Sequence, residues 1–254
     1  MNPDNEGARK FNKLGMWPKT NEHFWEDIDT HLKNIEKLEF FGGEPLMIER
    51  HYEILERCVD LGIAKNISLS YNTNGSIFPQ DKIQLWEQFK KVEIFLSIDD
   101  INERFEYIRF PGNFTEVITN LGLFSKLDKS IFSIGIFQTI SIFNIMHMVE
   151  LTEFISRNFD DIDIHYNMVF TPDHISPKVL PKRIKEKVTL KYQDNKLDHV
   201  NNTLKFMNGE QYSKDEYINF LIQTKQIDKF RKEQFDKVFP DLFKHIEKDW
   251  HGIQ

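Results

Sequence analysis

Five polar clusters each stand where a short run of β-branched and aromatic residues ends, or inside such a run. Gly42-Gly43-Glu44-Pro45 follows Leu38-Glu39-Phe40-Phe41, and Asn72-Thr73-Asn74-Gly75 follows Ile67-Ser68-Leu69-Ser70-Tyr71. Ser97-Ile98-Asp99-Asp100 closes Val92-Glu93-Ile94-Phe95-Leu96, Gln138-Thr139 sits in the fourth run, and Asn167 sits in the fifth. The paired glycines let the chain turn sharply and let a ligand approach the backbone, since neither carries a Cβ. Glu44 beside them is a fixed negative charge able to hold an ammonium group; it would equally serve as a solvated acid in a simple βα turn. Pro45 restricts Glu44 to extended angles. Asn74-Gly75 is a common turn dipeptide. Ser97 and Asp99, two positions apart on a strand, point to one face. Arg109, in Tyr107-Ile108-Arg109-Phe110-Pro111-Gly112, is a cation among apolar neighbours, suited to clamping a carboxylate or to a surface ion pair.

The elements that must hold these groups follow from the hydrophobic spacing. The strand-like runs begin near Lys37, Ile67, Val92, Ile131 and Ile162, at intervals of 30, 25, 39 and 31 residues, about the length of one βα unit. Between them lie helix-period faces: Trp25, Ile28, Leu32 and Ile35; Tyr52, Leu55, Cys58 and Leu61; Ile83, Trp86 and Phe89; Phe114, Val117, Ile118, Leu121 and Phe124; Met148, Leu151 and Ile155. Thr20 or Asn21 reads as the N-cap of the first. Alternation of this kind predicts an α/β fold with a parallel sheet and right-handed crossovers, its functional face at the strand C-termini. A helix over residues 21–36 precedes the first strand, so the chain reads as entering the fold one strand late. Residues 181–213 read as charged and irregular, and 214–250 as two amphipathic helices divided near Pro240.

Composition narrows the function. The 254 residues carry a net charge of −7, which argues against a sequence-tolerant nucleic-acid binder. No apolar run is long enough to span a bilayer, and the first residues lack the pattern of a secretory signal, so a cytoplasmic protein with no membrane partner is expected. One cysteine, Cys58, forbids an intrachain disulfide and any all-thiolate metal site within this sequence. It falls on a helix face between Leu55 and Leu61 and reads as core. The nine histidines lack zinc spacing.

The ordered set Phe40-Phe41-Gly42-Gly43-Glu44-Pro45-Leu46, Tyr71-Asn72-Thr73-Asn74-Gly75, Phe95-Leu96-Ser97-Ile98-Asp99 and Glu106-Tyr107-Ile108-Arg109 resembles the radical S-adenosylmethionine (radical SAM) superfamily, and within it the twitch-domain group. Residues 51–56 and 138–144 fit the same group. The resemblance covers roughly residues 2–180. It implies a partial (β/α) TIM-like barrel over 1–180, followed by a C-terminal helical extension over 181–254. It implies that Gly42, Gly43 and Glu44 receive the methionyl ammonium of SAM, that Ser97 and Asp99 reach its ribose or carboxylate, and that Arg109 clamps the carboxylate. Gln138 would approach the adenosyl part, and Asn74 would line the same mouth.

The family's chemistry implies a [4Fe–4S] cluster on a CxxxCxxC loop after the first strand. This sequence has no such loop. Asn2-Pro3-Asp4-Asn5 resembles the segment that follows the last cluster cysteine. The expectation is therefore a chain lacking the first strand and the cluster loop, either truncated or degenerate. Its function would be a SAM-binding enzyme core with a peptide, protein or other sizeable substrate; the rival is a non-catalytic SAM-, nucleoside- or partner-binding remnant. A third idea, a hydrolase using Glu44 and Asp99 as an acid/base pair, has less to support it. Loss of a first strand would leave the Leu38–Phe41 edge open to pairing.

Overall fold

A computed structural model describes residues 22–209 and 213–253, with the side chains of 22–26 left aside. The Thr20/Asn21 cap, the Trp25 side chain and the Asn2–Asn5 segment lie outside the described residues.

Five strands form one sheet in the order β1 (Lys37–Phe40), β2 (Ser68–Thr73), β3 (Lys91–Ser97), β4 (Phe132–Ile140) and β5 (Asp163–Met168). Each begins within one residue of its expected start. Helices alternate with them: α1 (Glu22–Leu32) before β1, α2 (Glu49–Asp60) after it, α3 (Ile83–Trp86) after β2, α4 (Asn102–Ile108) and α5 (Phe114–Phe124) after β3, and α6 (Glu150–Asn158) after β4. The sequential strand order is what a chain of right-handed βα crossovers produces.

The residues cluster into two compact units. The first takes the chain up to Thr73 with Pro79–Ile94 and Asp128–Ser133. Here β1 and β2 pair in parallel, with Lys37 opposite Ser68 and Phe40 opposite Tyr71. Ile28 and Leu32 of α1 are buried, as are Tyr52, Leu55 and Cys58 of α2. Burial raises the Cys58 thiol to about 11, with the Asp29 carboxylate adding to it, which bears out its assignment to the core. The β1 edge is short and alternates exposed Lys37 and Glu39, joined at 2.9 Å, with half-buried Leu38 and Phe40. Phe41, just beyond it, is 71% exposed, so the Leu38–Phe41 run keeps apolar surface, while charges such as Lys37 and Glu39 discourage edge-to-edge pairing.

The second unit takes Asn74–Phe78, Phe95–Leu127 and Ile134–Gln254. In it β4 and β5 pair in parallel, with Gly135 opposite Asp163 and Ile140 opposite Met168. After β5 the described residues form two 3-10 turns (Asp173–Ile175 and Pro177–Val179) and then α7 (Lys182–Lys191), α8 (Asp198–Asn208), α9 (Lys214–Arg231), α10 (Phe235–Val238) and α11 (Pro240–Gly252). Residues 182–191 and 198–208, expected to be irregular, are therefore helical. Ile184 and Val188 on α7, and Val200, Thr203 and Met207 on α8, give each helix a buried stripe that the surrounding lysines mask in the sequence. These helices share one core with Tyr107, Ile140 and Phe143, packed against Phe220, Phe235 and Phe239. The rings of Phe143, Phe220, Phe235 and Phe239 meet there in tilted and edge-on pairs.

Candidate functional site

One candidate cluster is the turn after β1, in the first unit. Gly42 and Gly43 carry φ of +90° and +60°, the left-handed region that an L side chain resists. Glu44 follows in extended geometry, φ −123° and ψ 104°, as the next proline demands. Its Oε1 accepts hydrogen bonds from Thr73 Oγ1 at 2.7 Å and from Leu46 N at 3.2 Å. Thr73 ends β2, the strand paired with β1, so strand pairing brings the hydroxyl to the acid. The second bond caps the 3-10 turn Pro45–Met47 and anchors the carboxylate to its own loop.

Behind this turn lies a buried relay. Trp86 Nε1 donates to Tyr71 Oη at 3.1 Å, and His51 Nε2 lies 3.2 Å from the same hydroxyl. His51 Nδ1 lies 2.6 Å from the Ile48 carbonyl, which accepts only, so Nδ1 carries the proton and Nε2 receives from Tyr71. Burial lowers the His51 pKa and raises that of Tyr71, keeping both neutral at neutral pH. With Phe40, Phe41, Gly42 and Pro45, His51 also lines a small pocket beside the glycines.

A second cluster, in the second unit, lies after β3. Asp99, 4% exposed, is held from several sides. Arg109 Nε donates to its Oδ2 at 2.6 Å and the Thr139 backbone N–H to its Oδ1 at 2.8 Å. Its main-chain carbonyl accepts from Gln138 Nε2 at 3.0 Å and from Asn144 Nδ2 at 2.7 Å. Arg109 is supplied by the C-terminal end of α4, Gln138 and Thr139 by β4, and Asn144 by the turn after it. Of the two roles open to Arg109, the ion pair is the one made within the protein; it uses one of the five guanidinium N–H donors. Ser97 is half-buried on the same strand end.

Asp100 is fully enclosed, and its Oδ1 accepts from Ile101 N at 2.8 Å and Arg104 Nε at 2.9 Å. Burial outweighs Arg104 and raises its carboxyl to about 6. Arg104 also bonds the Glu150 carboxylate, which meets His147 Nδ1 at 2.7 Å. Asn74 is exposed, and its Oδ1 closes an Asx turn by accepting from Ser76 N at 2.8 Å. Gly75, at φ +77°, has no room for a Cβ: Leu96 Cδ2 would stand 2.9 Å away and Val117 Cγ1 3.0 Å.

The expected residues thus separate into two groups. Gly42, Gly43 and Glu44 share one turn of the first unit; Asp99, Arg109 and Gln138 are joined by direct hydrogen bonds in the second, where Asn74 and Ser97 also lie. Reading the sequence missed Thr73, Thr139 and Asn144 as holders of the two acids. Thr73 was visible inside Asn72-Thr73-Asn74-Gly75, but its partner becomes apparent only when β1 pairs with β2.

No family model and no curated protein matches this sequence. Solved structures do. "Native anSMEcpe with bound AdoMet" aligns with a TM-score of 0.51 and 19% identity over 81% of this chain. "Native anSMEcpe with bound AdoMet and Cp18Cys peptide" aligns at 0.50 and 19% over 80%. This chain covers 57% of the length of each. Together with the parallel strand order, the likeness establishes that the chain shares the partial (β/α)-barrel fold of anSMEcpe.

Proposed function

We propose that this chain is a SAM-binding core of the radical SAM type. Glu44 would take the methionyl ammonium, with Gly42 and Gly43 leaving room for it. Asp99 and Ser97 would take polar groups of the ribose, Arg109 would turn its remaining donors to the carboxylate, and Gln138 and Asn74 would border the nucleoside. The observation that carries this reading is the tethering of Glu44, fixed by Thr73 and Leu46 beside two left-handed glycines at a strand C-terminus. The fold shared with AdoMet-bound structures supports it.

Bound SAM would supply a sulfonium and an adenosyl group; the chain's own residues bind and orient it. A [4Fe–4S] cluster does not fit the residues present. Cys58, the one cysteine, is buried in α2 with its thiol raised, and no His, Cys, Asp and Glu group able to hold a metal occurs among the described residues. 5′-Deoxyadenosyl-radical chemistry belongs to the resemblance, and the SAM-binding half of it to this chain. A peptide substrate, prompted by the peptide in one anSMEcpe structure, is part of the same proposal. So are a cytoplasmic setting and the division into a barrel core over 1–180 and a helical extension over 181–254.

The lack of a cluster ligand set favours a second reading, a non-catalytic SAM- or nucleoside-binding module. Titration calorimetry with SAM and with adenosine tests the binding that both share; absence of SAM binding would overturn both. Anaerobic reconstitution with iron and sulfide should leave a colourless protein; broad absorbance near 400 nm would overturn the statement that the cluster does not fit and would favour the first reading over the second.

A further inference from the structure

Away from both turns, Lys185 lies on α7 only 8% exposed, and no acidic side chain pairs with it among the described residues. The neighbouring cations are committed. Arg183 bonds the Asp249 carboxylate and the His245 carbonyl, and Lys182 lies 4.0 Å from Glu186. The Lys185 Nζ is not among the wholly buried side-chain atoms without a partner, so the ammonium is not fully withdrawn from water. Partial burial lowers its pKa, with Lys178 adding like-charge repulsion.

Lys185 lines a groove of about 860 Å³, within the size of small-molecule sites. Pro181 and Leu190 give the groove an accessible apolar edge, Leu190 being 58% exposed, while Leu180 behind them is fully buried. Thr189 and Asn208 add a polar edge, joined at 3.2 Å. Glu186 at the rim is the one acid in the lining, with Lys182 as its partner. The groove thus offers a cation with no acidic partner beside an apolar edge.

We propose that this groove binds an amphiphilic carboxylate, a medium-chain acid whose head meets Lys185 and whose chain lies on Pro181 and Leu190. Phosphate would find the cation but gain nothing from the apolar edge, and a neutral alcohol would find that edge but leave the cation uncompensated. The site is separate from the SAM reading and stands whether or not SAM binds.

Calorimetry on the full chain with octanoate, octan-1-ol and inorganic phosphate tests it. Octanoate binds about tenfold or more tighter than either control, and Lys185→Met lowers octanoate affinity by about tenfold while leaving octan-1-ol unchanged. Equal octanoate binding by the variant, or equal binding of phosphate and octanoate by the unaltered chain, overturns the proposal. Acetylation of the unaltered chain, followed by peptide mass spectrometry, gives a second readout that does not depend on the variant folding. Octanoate slows labelling of Lys185 relative to exposed Lys229; no such protection overturns the site.

Discussion

Arg109 and Asp99 are bonded to each other, Nε to Oδ2 at 2.6 Å, so that two residues expected to meet a ligand separately form one unit. The pair links the C-terminal end of α4 to the turn after β3. A ligand carboxylate arriving at Arg109 therefore competes with, or adds to, an existing acid. The geometry favours addition, because Asp99 engages Nε and the guanidinium keeps further donors.

Asp99→Asn is accordingly expected to remove the charge of the pair while keeping the shape that receives the Thr139 N–H. With Arg109 partly solvated, the stability loss should be about 1–2 kcal/mol, below that of a fully enclosed pair. Urea unfolding measures it, and calorimetry with SAM should show weaker binding. Unchanged SAM affinity in a folded variant removes Asp99 from the site.

Glu44→Gln keeps the side-chain length and replaces the charge. A hydrogen bond to a charged group is worth roughly 1.5–3 kcal/mol, so SAM affinity should fall about 10- to 150-fold. Thr73→Val should weaken SAM binding less, because it frees the carboxylate rather than removing it. If Thr73→Val proved the more damaging of the two, the ammonium would not be meeting Glu44.

Asp100 should leave a pH signature. Its carboxyl, raised to about 6 by burial, holds a proton more tightly in the folded chain than in the unfolded one. Its contribution to stability therefore declines as pH rises between about 4 and 6, by roughly 3 kcal/mol in all, and stays unfavourable above that. The stability of the wild type relative to Asp100→Asn should fall by that order between pH 4 and pH 7 in urea titrations. Parallel pH curves for the two proteins would contradict the raised carboxyl.

Gly75→Ala places a methyl 2.9 Å from Leu96 Cδ2 in a left-handed backbone. The expected loss is about 1–3 kcal/mol, read as a lower urea midpoint at unchanged slope. Wild-type stability would show that the turn can open.

Cys58 should react slowly with a thiol-specific reagent at pH 8, and rapidly once the chain is unfolded. Cys58→Ser should leave SAM binding intact. Fast labelling of the folded chain would place the thiol outside the core.

The five strands were legible because β-branched and aromatic residues cluster in each, with turn residues directly after them. Both glycine turns could be read for the same reason, since Gly42-Gly43 and Asn74-Gly75 satisfy backbone demands that few other residues meet. The helices over 182–208 were harder to read: on the first, Ile184 and Val188 are too few apolar residues among Lys182, Lys185 and Lys187 to mark a face until their partners are known. The holders of the acids were hidden for another reason. Thr73 and Asn144 are ordinary polar residues whose roles arise from strand pairing and chain reversal, and neither leaves a periodic trace. The Arg109–Asp99 bond is of this kind as well; each residue could be singled out, but not their mutual engagement.

The carbonyl of Asp99 receives two amide groups, from Gln138 and Asn144, while its carboxylate is gripped by Thr139 and Arg109. The segment is thereby immobilised before any guest arrives. Association there loses little chain entropy, so tight complexes should owe their strength to slow departure rather than to a loop that folds around its cargo.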